Sequence, residues 1–210
     1  GALILGMTPL KAPFQWMETY YHELSHGLAS LISFGRFKKI KLNWNGSGYA
    51  ITAGGSRLLI LLAGYMGAAL WGGYLYLAGW LSTGAGASQM LAFELAFLAI
   101  ATVMWVRDLV TLVIVASMAA VFGAPLLIPN LPYLPYFIQF IGIYVILNAI
   151  RAPLHLIDGQ HVGDGAALQD LTKIIPEIIW VLWWFAFAIA VLLACAILTL
   201  PGMKLVIGLF

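Results

Sequence analysis

Two imidazoles four residues apart, with a carboxylate beside the first, concentrate the chemistry of this chain in His22-Glu23-Leu24-Ser25-His26. On a helix, residues i and i+4 share one face, one turn apart. His22 and His26 so placed can grip one divalent ion, and Glu23 can reach a water on it. Zinc suits imidazole and carboxylate donors, and a catalytic zinc site keeps three protein ligands with one position open. Glu23 would take a proton from that water and pass it to a leaving amine, hydrolysing a peptide without a covalent intermediate. The plainer alternative is a hydrogen-bonded polar cluster joining helices.

The elements that must position these residues are membrane spans. Of 210 residues, 63% are apolar and 9% charged, and the mean hydropathy is +0.98. Eighteen Asp, Glu, Lys and Arg residues cannot coat a water-soluble body of this size. Disorder is excluded by the apolar content, and a net charge of +2 argues against a nucleic-acid partner. The chain reads as one all-α polytopic membrane domain over residues 1–210, with the lipid bilayer as its solvent. Ionisable groups inside a span are costly and by default mark function, and three of them fall within the five residues of the histidine motif. The lone Cys195 can make neither an internal disulfide nor a thiolate cluster.

A span needs about 20 apolar residues. Phe14–Phe34, Leu58–Leu81, Met90–Val106, Phe137–Ile157 and Ile178–Leu200 qualify, and Leu109–Phe122 is a short sixth. A single helix from Met90 to Phe122 would run about 50 Å, too long for one crossing, so it is split at Arg107-Asp108. Six spans put Arg36, Lys38, Lys39, Lys41, Arg57, Arg107, Arg151 and Lys173 on one side, and only Lys11 and Lys204 on the other. By the positive-inside rule both termini lie outside the cytoplasm. The first span has no basic flank or small-residue cleavage site, so it is no cleavable signal. Between the first two spans, Lys39–Ile51 alternates apolar and polar residues around Asn45-Gly46, which predicts a β-hairpin. A two-residue turn there pairs Leu42 with Tyr49 and Ile40 with Ile51 on one face.

A third metal ligand must come from elsewhere. Glu18, one turn before His22, is placed to orient that imidazole. Glu94 lies within a span and calls for a polar partner, and Arg107-Asp108 reads as a boundary pair. Asp158 and Asp164, each followed by Gly between the last two spans, are the serious candidates, and spacing does not separate them. Asp164 could instead cap a helix, and His155 and His161 could be plain hydrogen-bonding residues.

The chain resembles the site-2-protease-type intramembrane zinc metalloproteases, most closely their compact bacterial branch, the M50B-like peptidases. Four stretches carry the likeness: His22 to Gly27; Leu62-Ala63-Gly64-Tyr65-Met66-Gly67; Arg107-Asp108; and Gly163-Asp164-Gly165, continuing through Leu171-Thr172 and Pro176 to Trp180. In that branch the last stretch typically reads Ser-Asp-Ala, then Thr-Gly-Ile-Pro, then Trp. The resemblance therefore makes Asp164 the third zinc ligand, with Glu23 catalytic and His22 and His26 the other ligands. Leu156-Ile157-Asp158-Gly159 echoes the Leu-Asp-Gly of other members, which keeps Asp158 in play. Ser25, Gly163 and Gly165 depart from the usual Gly, Ser and Ala. The resemblance also implies a bacterial inner-membrane setting, membrane-spanning protein substrates, and a hairpin (Ile40, Leu42, Tyr49, Ile51) that binds an unwound substrate by strand addition. Tyr65 and Asn148 are further polar candidates. The rival readings are a catalytically silent scaffold in a larger membrane complex, and a metal or proton transporter, which would need polar residues through the other spans.

Overall fold

The computed structural model describes residues 11–128, 131–157 and 161–200. Seven α-helices and one hairpin follow in the order α1 (Lys11–Ile32), β1 (Arg36–Leu42), β2 (Gly48–Ala53), α2 (Arg57–Leu81), α3 (Gly84–Trp105), α4 (Leu109–Gly123), α5 (Leu134–Arg151), α6 (Asp164–Thr172) and α7 (Glu177–Leu198). Five helical stretches, one each from α2, α3, α4, α5 and α7, are long and apolar enough to cross a membrane. Their outer faces remain apolar, as in Val103, Leu109, Trp183 and Ile197, each more than half exposed. Such a surface is stable against lipid, not water. α1 is as long as a span but carries the polar motif, which it buries among α2, α4, α5 and the hairpin. The terminal segments whose orientation the positive-inside rule predicts, residues 1–10 and 201–210, lie outside those described.

The expected split of the third and fourth spans holds without a Gly or Pro. Trp105 ends α3, and the Arg107 guanidinium donates to the carbonyls of Val103 (2.9 Å), Val106 (2.7 Å) and Met104. Asp108 then caps α4, its Oδ1 accepting from the Thr111 N–H at 3.0 Å. The carbonyls and amides orphaned by two abutting helix ends are thus satisfied by one adjacent cation and anion. The fifth span, expected to run as one helix to Ile157, instead tightens into a 3₁₀ turn over Ala152–Leu156, where Pro153 removes an amide donor. α2 and α5 approach backbone to backbone. A Cβ at Gly72 would sit 2.9 Å from the Gly142 carbonyl, and one at Gly79 2.7 Å from the Pro135 carbonyl.

The hairpin exists, but its register differs from the one expected. Leu42 faces Gly48 and Ile40 faces Ala50, while Lys41 faces Tyr49 and Lys39 faces Ile51. The turn is three residues long, not two. The Gly46 N–H donates to the Asn43 carbonyl, Asn43 and Ser47 close the ladder at 2.8 Å, and Gly46 takes the positive φ of +86°. The tip is shaped by α1, because Thr19 donates to the Gly46 carbonyl at 2.7 Å. The one-residue shift sends Tyr49 and Ile51 to the face opposite Ile40 and Leu42. Ile40 and Leu42 are fully buried, whereas Tyr49 and Ile51 are 44% and 40% exposed. A bulge between Phe37 and Lys39 restores parity, so that Phe37 also points inward and stacks on Trp105 with ring centroids 4.4 Å apart.

Candidate functional site

The histidine motif occupies the inward face of α1, about 15 Å from the helix end at Ile32 by helical rise. The third candidate ligand reaches it by folding back. α6 returns into the bundle against α2 and α7, with Asp164 as its first residue. Gly163 caps that helix at φ 107°, ψ −168°, a conformation essentially reserved for glycine, so Asp164 is not the cap and its side chain is free for the histidines. Here the departure from Ser to Gly has a physical cause. The segment is held at both ends: His161 Nδ1 lies 3.1 Å from Glu177 Oε2, and Gln169 Oε1 accepts the Glu177 N–H at 2.7 Å. A Cβ added to Gly165 would sit 2.9 Å from Glu177, which leaves little latitude for that position to grow.

Three donor atoms converge. His22 Nε2 and His26 Nε2 each lie 3.1 Å from Asp164 Oδ2 and 2.9 Å from one another. His26 Nδ1 is 2.6 Å from the Ile60 carbonyl, which can only accept. The proton of a neutral His26 therefore sits on Nδ1, and its Nε2 lone pair faces the triangle. Ligand atoms about 2.05 Å from a tetrahedral ion lie about 3.3 Å apart, so this triangle needs only a slight opening to hold one. Gly64 makes the room. A Cβ there would be 2.6 Å from Cε1 of both His22 and His26, so both rings lie against bare α2 backbone. The donor set and its cradle fit a divalent ion. Burial raises the Asp164 carboxyl, but hydrogen bonds and charge from the two imidazoles outweigh it and hold the group well below the ordinary carboxylate range.

Glu23 faces the hairpin. The backbone N–H of Ala50, on the outer edge of β2, is directed toward its carboxylate. His22, Glu23, His26 and Asp164 line a cavity of about 1190 Å³ together with Tyr49, Ala50 and Thr52 of β2. The opposite edge, on β1, is occupied. Ile40 is bridged to Val106, the Leu42 N–H donates to Thr111 Oγ1 at 2.9 Å, and Lys39 pairs with Asp108 at 3.5 Å. Arg107-Asp108 is thus more than a boundary pair, because it joins the α3–α4 corner to the hairpin.

The remaining candidates divide. Tyr65 and Asn148 line the cavity; the Tyr65 ring packs edge-on to His22 at 4.3 Å, and Asn148 donates to the Tyr144 carbonyl. Glu18 lines it too, with a buried Oε1 that has no hydrogen-bond partner among the described residues and no hydrogen bond to His22. Glu94 is buried away from the cavity, accepting from the Tyr21 hydroxyl at 3.5 Å. His155 lines the cavity outside the ligand triangle, and Asp158 lies outside the described residues. Sequence reasoning missed Ile60 and the cradle at Gly64, although the Gly-Tyr-Met-Gly stretch was the available signal. Gly67 serves the same contact, since a Cβ there would meet Ser25.

Fold and site define a multi-pass integral membrane protein whose first helix presents a buried His-Glu-x-x-His motif to an aspartate from a distant segment. The chain belongs to the Peptidase M50B-like family, whose model matches residues 1–195, and that membership makes it a protease of the site-2-protease type. A search of curated proteins and a search of solved structures each returned no match.

Proposed function

We propose that the protein is a zinc metalloendopeptidase that hydrolyses peptide bonds of membrane-spanning protein substrates. The observation that carries this reading is the ligand triangle: Asp164, 142 positions from His22, closes on both imidazoles at the floor of a cavity that also holds Glu23. His22, His26 and Asp164 would hold the ion. When bound, zinc would supply Lewis acidity, bringing the pKa of a water toward neutrality and polarising a carbonyl. Glu23 accepts the proton of the attacking water and returns it to the leaving amine, so one water is consumed per C–N bond broken.

The substrate is an unwound segment laid along the open edge of β2. Helical backbone has no free amides to cleave or to pair, so local unwinding must precede hydrolysis, and a strand edge offers it new partners. Tyr49 and Ile51 stand beside that edge, while the fully buried Ile40 and Leu42 support the hairpin from below. The deciding experiment compares wild type with Glu23→Gln, which keeps an acceptor for Ala50 but cannot take a proton. The variant is expected to retain one zinc per chain and lose cleavage of a membrane-spanning reporter by at least about a thousandfold. Equal cleavage by both would remove Glu23 from the reaction, and a zinc-loaded wild type that cleaves nothing would retire the hydrolytic reading in favour of a silent scaffold.

A further inference from the structure

The cavity has two electrostatic zones. Its floor carries the buried Glu18 and Glu23 and the partly buried Asp164 with the two candidate ligand histidines, whereas its exposed rim carries Arg57, Arg151 and His155. Among the described residues no carboxylate pairs with either arginine. Of the other described cations, Lys39 pairs with Asp108, Arg107 caps α3 carbonyls and Lys41 stands over the Tyr49 ring at 5.7 Å. The exposed Arg36, Lys38 and Lys173 form no ion pair among the described residues and, unlike Arg57 and Arg151, do not line the cavity. Helix stability does not account for Arg57. It is the first residue of α2, where the helix dipole disfavours a cation, and Ser56 already caps that end.

Resting on the peptidase reading above, we infer that Arg57 and Arg151 form a subsite for acidic side chains flanking the substrate's unwound segment. A strand added to β2 would lie in the cavity that Arg57, the C-terminal Arg151 of α5 and His155 of the following 3₁₀ turn also line, so its flanks would come within reach of these cations. Discrimination comes from repulsion as much as attraction. Most spans carry Lys or Arg on their cytoplasmic flank, and a cationic rim turns such flanks away while admitting acidic ones. The rim sorts membrane proteins before the zinc site meets them.

The test uses the full chain as Glu23→Gln, zinc-loaded and reconstituted in zwitterionic vesicles. It measures binding of three synthetic membrane-spanning peptides that differ only in two flank residues: Asp-Asp, Ser-Ser or Lys-Lys. Because binding is read without turnover, a failure of hydrolysis and a failure of the subsite are separable. Asp-Asp is expected to bind roughly tenfold more tightly than Lys-Lys at low salt, with the gap closing as salt rises. The double reversal Arg57→Glu/Arg151→Glu should invert the order while zinc content stays at one per chain, and the single Arg151→Gln should shrink the gap should the double variant not fold. No preference in the unreversed protein would overturn the inference, as would an order unchanged by the reversal. Preference that appears only with anionic lipid would assign the cations to headgroups and overturn it equally.

Discussion

The two edges of the hairpin are built from the same kind of backbone and have opposite fates. Along β1, Ile40 is bridged to Val106 and Leu42 bonds to Thr111, so the α3–α4 corner stands in for a third strand. Along β2, the outward Ala50 N–H reaches Glu23, and the strand otherwise borders the cavity. An unpaired strand edge is a template for any passing chain. On the proposed reading, closing one edge with a helical corner and leaving the other beside the carboxylate would direct incoming backbone to a single place. The difference teaches that the hairpin is a positioned edge, and that residues remote from the candidate ligands decide its position.

The comparison breaks most severely at Ala50. Ala50→Pro removes the N–H directed toward Glu23 and blocks one rung of strand addition, on an edge where proline is tolerated. Cleavage should fall by about a hundredfold or more with zinc content unchanged, read from turnover and metal analysis together. Persistence of activity would mean that the β2 edge takes no part.

Next in size is Gly64→Ala. Its Cβ would drive the two imidazoles from the α2 backbone, and zinc affinity should drop at least about tenfold, as measured by competition with a chelator. This loss of metal with the hairpin intact is the reverse of the Ala50→Pro outcome.

On the closed edge, Thr111→Val leaves the buried Leu42 N–H without an acceptor, at a cost of about 1–3 kcal/mol. The thermal midpoint in detergent should fall, KM should rise more than kcat falls, and Thr111→Ser should restore both.

The smallest effect belongs to Asp108→Asn, which keeps the helix cap and loses only a partly exposed ion pair with Lys39, worth about 0.5 kcal/mol. Desolvation raises the Asp108 carboxyl, but the Thr111 amide, its hydroxyl and the Lys39 ammonium together bring it below its usual value. A carboxylate depressed on folding stabilises above its unfolded pKa, near about 3.9, and that contribution is lost as pH falls through the folded value. Wild type and Asp108→Asn should therefore differ at neutral pH and begin to converge only in melts taken below about pH 4.

What could be read directly from the residues was local. The i, i+4 spacing puts His22 and His26 on one face whatever surrounds the helix, and apolar run lengths locate the spans because bilayer thickness sets them. The break at Arg107-Asp108 was legible by length alone, since no helix of that extent fits one crossing. The hairpin was legible as a hairpin but not in its register. Asn45-Gly46 suits more than one turn, and contact with Thr19 on α1 accompanies the longer one. Likewise the residues alone left Asp158 and Asp164 level, and resemblance to a family, not spacing, favoured Asp164.

Tertiary structure decided everything that depends on two distant segments meeting. It set Asp164 against both imidazoles, gave Gly163 a reason to be glycine, made Gly64 a cradle, and chose which strand edge stays open. The physical cause is common to all four. Local pattern follows from bond geometry and solvent, whereas a ligand triangle or a free edge exists only once packing has settled which buried polar groups satisfy one another.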